Sequence, residues 1–203
     1  MGHRYFVDTA IESDKVVLRD SESHHLQHVM RANVGDAVVL FDGSGQEFTA
    51  RIEHIERSQV ELTVREHHAV NREAACQSIV GVAMPKGDRQ RWLIEKLTEL
   101  GVTQVVPLRT EHSVVHPDQK SLKKLRRTVI EASKQCGRNR LMEISPLCEL
   151  SEFLTTAPPT SLRWLADPTG IPMPVGQSSS QGNYLAIGPE GGFSPSELAK
   201  AAK

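Results

Sequence analysis

The sequence predicts an α/β protein in two parts, a small β-barrel followed by a parallel sheet with flanking helices. Three observations carry this expectation. Apolar residues alternate through Phe48, Ala50 and Ile52, and again through Val60, Leu62 and Val64, the period-two pattern of half-buried strands. An apolar run, Ile79–Met84, leads into a helical stretch ending at Leu100 and a second apolar run, Val102–Leu108; strand, helix and strand within ~30 residues make a βαβ unit. Near the end, YLAIGPEGGFSPSE (Tyr184–Glu197) runs an apolar segment straight into a glycine-rich loop and a helix start.

In chain order, Tyr5–Val7 and Lys15–Leu18 are the first strand segments, and residues 21–31 form a helix with Leu26, Val29 and Met30 on one face. Asp36–Phe41 and Gln46–Ile52 flank Asp42-Gly43-Ser44-Gly45, a turn whose glycines tolerate positive φ. The pattern changes around Glu66–Ala75. Beyond it, Asp88 has the acceptor oxygens of an N-cap, Leu93, Leu97 and Leu100 form the buried stripe, and Gly101 sits where a left-handed C-cap belongs. A second helix, Gln119–Cys136, buries Leu122, Leu125, Val129, Ala132 and Cys136 and shows its cations to solvent. Ile144, Leu162–Ala166 and Tyr184–Ile187 are further strand positions; Thr155–Thr160 and Pro172–Gly182 are loops. The last helix opens with Ser194 as N-cap, Pro195 in the first turn and Glu197 closing a capping box.

Hydrophobic content of 38% and charge of 24% over 203 residues describe a soluble globular chain. No apolar run approaches the ~20 residues that span a bilayer, and the N-terminus lacks the zones of a signal peptide, so a cytoplasmic location without membrane association is expected. Cys76, Cys136 and Cys148 form no C-x-x-C pair, which excludes a disulfide framework and fits a reducing compartment. The net charge of -1 hides an uneven distribution. Between residues 119 and 140, Lys120, Lys123, Lys124, Arg126, Arg127, Lys134, Arg138 and Arg140 face Glu131 alone, a basic field able to attract phosphate.

The loop Gly188–Gly192 follows a strand, and ligands of open α/β sheets bind beyond carboxyl strand ends. It lacks the G-x-x-x-x-G-K-[ST] pattern of a Walker loop and the G-x-G-x-x-G spacing of dinucleotide sites. Glu190 would repel phosphate, so a zwitterionic or cationic ligand suits the loop; the alternative is a tight strand-to-helix turn with no ligand. His24 and His28, four apart, have no H-E-x-x-H glutamate and no nearby third ligand, so no metal is expected. Trp92 and Trp164 read as core or interface residues.

LAIGPEGGFSPSE resembles the IGPEGG loop of the RsmE family, methyltransferases of the knotted SPOUT superfamily that act on small-subunit ribosomal RNA. The resemblance extends to HHLQHVMRANVGDAVVLFDGSGQEFTARI (His24–Ile52), similar to that family's N-terminal PUA-like barrel, to MPKGDRQRWLIEKLTELGV (Met84–Val102), to TEHSVV (Thr110–Val115) and to EASKQCGRNR (Glu131–Arg140). It implies a PUA-like, RNA-binding β-barrel over residues 1–72 and an α/β-knot methyltransferase domain over 73–203, with the family's C-terminal knot segment absent from these residues. It further implies a homodimer that transfers methyl from S-adenosylmethionine to N3 of a uridine in 16S ribosomal RNA of the small subunit. Carried over by residue, Ile187, Gly188, Pro189, Glu190, Gly191 and Gly192 line the cofactor site, with Leu165–Pro168 (Leu165, Ala166, Asp167 and Pro168) as another wall. His112 stands where the family usually has Arg, and Lys134 where it often has Glu.

Methyl transfer to uracil N3 needs the N3 proton removed and a cation near the developing oxyanion. Arg138, expected to project from a loop after Gly137, and Glu190 are the candidate catalytic residues. Arg31, Lys86, Arg89, Lys123, Lys124, Arg127 and Arg138 are the candidate RNA contacts; the alternative for each is a solvated surface charge. An RNA-binding protein of the same fold without catalysis is the alternative function.

Overall fold

Phe48, Ala50 and Ile52 do point into one core, and Val60, Leu62 and Val64 meet them from the neighbouring strand. The computed structural model describes residues 3–172, 179 and 181–202. Of the expected loop Pro172–Gly182, residues 173–178 and 180 lie outside the described residues. The chain divides into two units: Met1–Glu73 with Ser133–Leu141, and Ala74–Ala132 with Met142–Lys203. Residues 133–141, expected with the second part, thus belong to the first.

The first unit contains β1 (Arg4–Phe6), β2 (Lys15–Arg19), β3 (Ala37–Phe41), β4 (Glu47–Ile55) and β5 (Gln59–His68) in the order β1-β3-β4-β5-β2. The β1–β3 pair is parallel and the others are antiparallel. The expected 21–31 helix is two pieces, α1 (Asp20–His24) and a π-helical turn (His25–Val29). The π turn bonds Met30 N to the His25 carbonyl, one residue further back than an α-helix does. That extra residue per turn rotates Val29 out to solvent while Leu26 stays buried, so the predicted apolar face holds only in part.

Two cations expected in solvent are buried in this unit. Lys134 donates to both Glu22 oxygens at 2.9 and 3.2 Å, and Arg138 donates from Nε and Nη2 to Glu73 at 3.2 and 2.5 Å. Both side chains are 4% exposed. The helix ends at Gly137, φ 82, and the turn there places Arg138 and Asn139 inside the unit. Nearby, the Glu47 carboxylate accepts from Arg72 at 2.7 Å and from Arg4 at 2.8 Å. The Arg72 hydrogen bond, outweighing burial and aided by Arg4, holds its pKa down to about 2 from 4.5. A depressed carboxylate pKa stabilises the fold above the unfolded value and stops doing so as pH falls through the folded one. About 2–3 kcal/mol should therefore be lost from the first unit between pH 4.5 and 2. Urea unfolding across that window should show the loss, and Glu47→Gln should flatten it.

The second unit realises the βαβ reading. Its elements are β6 (Ser78–Val82), α2 (Arg89–Glu99), β7 (Gln104–Arg109), α3 (Gln119–Cys136), β8 (Glu143–Ile144), β9 (Cys148–Glu149), α4 (Leu150–Thr156), β10 (Leu162–Ala166), β11 (Asn183–Ile187) and α5 (Pro195–Ala201). α3 passes from this unit into the first over its last residues. The strands run β10-β11-β6-β7-β8, all parallel, with β9 also on β7. Chain order steps outward from β6 through β7 to β8, then returns on the other side, so strand order reverses between β6 and β11. Gly81 lets the Phe153 ring lie on β6, because a Cβ there would stand 2.8 Å from it.

Four helix details differ from expectation. α4 was not expected, and Thr155 and Thr156, read as loop residues, are its last two positions. Asp88 is already helical and makes no side-chain cap. The buried residues of α2 are Ile94 and Thr98, while Leu93 and Leu97 are half-buried and Leu100 is exposed; Thr98 is accommodated because its hydroxyl donates to the Ile94 carbonyl at 2.8 Å. On α3, Leu125, Val129 and Ala132 are buried as expected, but Leu122 is half-buried and Cys136 is exposed at the terminus. Gly101 does close α2, with φ 82 and Val102 N bonded to the Leu97 carbonyl at 3.0 Å.

Candidate functional site

Parallel pairing brings the ends of β10 and β11 side by side, with Ala166 opposite Ile187. Each strand ends in a turn made by its own residues. After β11, Gly192 N donates to the Pro189 carbonyl at 2.8 Å and Gly192 takes φ 70, a conformation that favours glycine. Gly188 is needed for another reason: a Cβ there would lie 3.2 Å from the Phe193 ring, which is buried and anchors the loop. The predicted capping box is formed. Ser194 N donates to Glu197 at 2.8 Å, Glu197 N donates to Ser194 Oγ at 3.3 Å, and Pro195 follows the cap.

After β10, Asp167 accepts from Thr169 N at 2.8 Å and from Thr169 Oγ1, and Gly170 N closes onto the Asp167 carbonyl at 3.0 Å. The Thr169 bonds hold the Asp167 carboxyl below the usual range. The two turns enclose a cavity of about 620 Å³, within the ~300–1,000 Å³ of small-molecule sites.

Leu165, Asp167, Pro168, Ile187, Gly188, Pro189, Glu190 and Gly192 all line this cavity. Gly191 belongs to the loop but lies against His112, whose Cβ would be 3.5 Å from a Cβ at that position. Sequence reasoning missed Trp164, Gly170, Ile171 and Leu185, which line it together with Ala166 of the expected wall. Leu185 was within reach, because alternate strand residues share a face with Ile187. Trp164, expected in the core or an interface, is a half-buried wall residue.

The cations divide. Lys86 and Arg89 are exposed beyond the carboxyl end of β6, and Arg89 reaches Glu190 at 3.4 Å. Lys123, Lys124 and Arg127 are exposed on α3. Arg31 is exposed in the first unit, with φ 51. Arg138 departs from the expectation for both of its roles: its guanidinium is buried on Glu73 rather than projecting from a loop. His24 and His28 stack at 4.6 Å between ring centroids, and among the described residues no group of three or more His, Cys, Asp or Glu side chains is placed to hold a metal ion.

A parallel sheet whose strand ends carry a glycine loop, preceded by a small sheet unit, defines the class. Residues 72–203 match the model of an RNA methyltransferase domain, and residues 18–65 match that of an RNA methyltransferase PUA domain. The chain belongs to this RNA methyltransferase family. It is 31% identical over 195 residues to ribosomal RNA small subunit methyltransferase E of Synechocystis sp., covering 92% of this chain and 63% of that protein. The Bacillus subtilis protein of the same name is 30% identical over 159 residues, 74% of this chain and 62% of its own length. The chain thus spans less than two thirds of these curated relatives. Lpg2936 of Legionella pneumophila, solved in complex with the cofactor SAM, superposes with a TM-score of 0.86 at 28% identity, over 100% of this chain and 86% of that one.

Proposed function

We propose that this chain methylates N3 of a uridine in 16S ribosomal RNA with S-adenosylmethionine, acting as a homodimer in the cytoplasm. The observation that carries the reading is the cavity between the β10 and β11 turns. Its walls fit the cofactor's chemistry: Trp164, Leu165, Leu185 and Ile187 offer apolar surface, Asp167 offers negative charge, and the glycine loop offers backbone polar groups unobstructed by side chains. When bound, the cofactor supplies a methyl group already activated on a sulfonium.

The protein's own work is then positioning, water exclusion and proton removal. Uracil N3 must lose its proton to become nucleophilic. Glu190 lines the cavity yet remains 64% exposed, so it can meet an entering base, and we assign it that proton. Lys86 and Arg89 at the start of α2, Lys123, Lys124 and Arg127 on α3, and Arg31 in the first unit are the phosphate contacts. The homodimer reading draws on Trp92 and Leu100, large apolar side chains that α2 leaves exposed.

Calorimetric titration with S-adenosylmethionine tests the reading, followed by methyl counting on 16S ribosomal RNA. Absence of binding overturns it; binding without uridine N3 methylation overturns the substrate. RNA affinity should fall steeply with salt, and Lys123→Ala with Lys124→Ala should reduce the log–log salt slope by about two. A slope unchanged in that double variant removes α3 from the interface.

A further inference from the structure

The loop between β7 and α3 reaches the glycine loop across 80 residues of sequence. His112 Nδ1 lies 3.1 Å from the Gly192 carbonyl oxygen. A carbonyl only accepts, so Nδ1 carries the proton of this bond. The adjoining residue makes a second tie: Glu111 N donates to Glu197 Oε1 at 2.9 Å, while the other oxygen of that carboxylate holds Ser194 N. The turn that presents both groups is itself stiff. Ser113 Oγ accepts from Thr110 N at 3.0 Å and donates to the Thr110 carbonyl at 2.9 Å.

We infer that His112 is a positioning residue for the glycine loop, a role that rests on the cofactor reading above. Within the loop, Gly192 already bonds Pro189, which fixes the plane of the peptide before Gly192. The imidazole fixes the plane of the peptide after it, and the carboxylate of Glu197 fixes where α5 begins. The cavity wall from Gly188 to Gly192 is thereby set before any ligand arrives, which lowers the ordering cost of binding. His112 itself does not line the cavity, so its effect passes through the backbone of Gly192.

The test compares wild type, His112→Ala and His112→Asn, the last keeping a side-chain donor. Loss of one net hydrogen bond should weaken S-adenosylmethionine binding about three- to tenfold in His112→Ala. Amide exchange across 188–193 should accelerate in the same variant without ligand. His112→Asn should restore both, and KM for the cofactor should rise while kcat at saturation and KM for RNA stay as in wild type. Wild-type exchange and affinity in His112→Ala overturn the inference, as does equal damage in His112→Ala and His112→Asn. Should wild type itself give no heat with S-adenosylmethionine, the cofactor reading falls, and exchange across 188–193 alone decides whether His112 holds the loop.

Discussion

Glu190→Gln is expected to bind S-adenosylmethionine nearly as wild type does and to methylate uridine about 10²- to 10⁴-fold more slowly, the usual range for a lost general base. The glutamine keeps the length and polarity of the side chain but cannot accept a proton. The loop should keep its shape, because its internal bonds run through Gly192, Pro189, Ser194 and Glu197 and do not involve the Glu190 carboxylate. Single-turnover methylation at saturating cofactor measures the chemical step directly. A rate near wild type would remove Glu190 from proton transfer. A rate lost together with cofactor affinity would assign the carboxylate to binding. Arg89 sits at 3.4 Å from the same carboxylate, but both side chains are well exposed, so their pairing contributes little stability.

Arg138→Ala is expected to destabilise the first unit by about 2–4 kcal/mol, in line with breaking a buried ion pair from one side. The guanidinium is enclosed, and Glu73, itself only 20% exposed, would lose this partner. Trp92 and Trp164 both belong to the second unit, so their fluorescence leaves melting of the first unit unseen. Amide exchange in β3, β4 and β5 as a function of urea is the appropriate measurement. The double variant Arg138→Met with Glu73→Leu should recover part of the loss, because it removes both charges rather than one. If Arg138→Ala kept wild-type stability and lost methylation, the catalytic role read from the sequence would return.

These two residues mark what was legible. The place of Glu190 on the loop was legible because its context is local. Glycines, proline and a capping box adjacent in the chain dictate a rigid turn at a strand end, whatever else the protein does. The same holds for the alternation in β4 and β5, and for Gly101 at the end of α2. Arg138 was misread because its partner lies 65 residues away, and Lys134 because its partner lies 112 away. A cation on a helix face looks solvated until the fold brings a carboxylate to it. Helical stripes failed in a related way. Periodicity identified α2 and α3, but which side chains are covered depends on the elements packed against them, so Leu100 and Cys136 are exposed. At residues 25–29 a π turn changed the period itself.

The sequence by itself determined most strands and helices in chain order, though not β9 or α4, together with the two-part plan, the glycine loop with its capped helix and the family to which the chain belongs. Those depend on side-chain period, backbone freedom and capping, which act over a few residues. Only the tertiary structure decided that the ends of β10 and β11 enclose one cavity, that Lys134 and Arg138 are internal cations, and that His112 holds Gly192. Each requires groups distant in the chain to meet, and hydrogen bonds and ion pairs between such groups exist only after the sheet has set their separation.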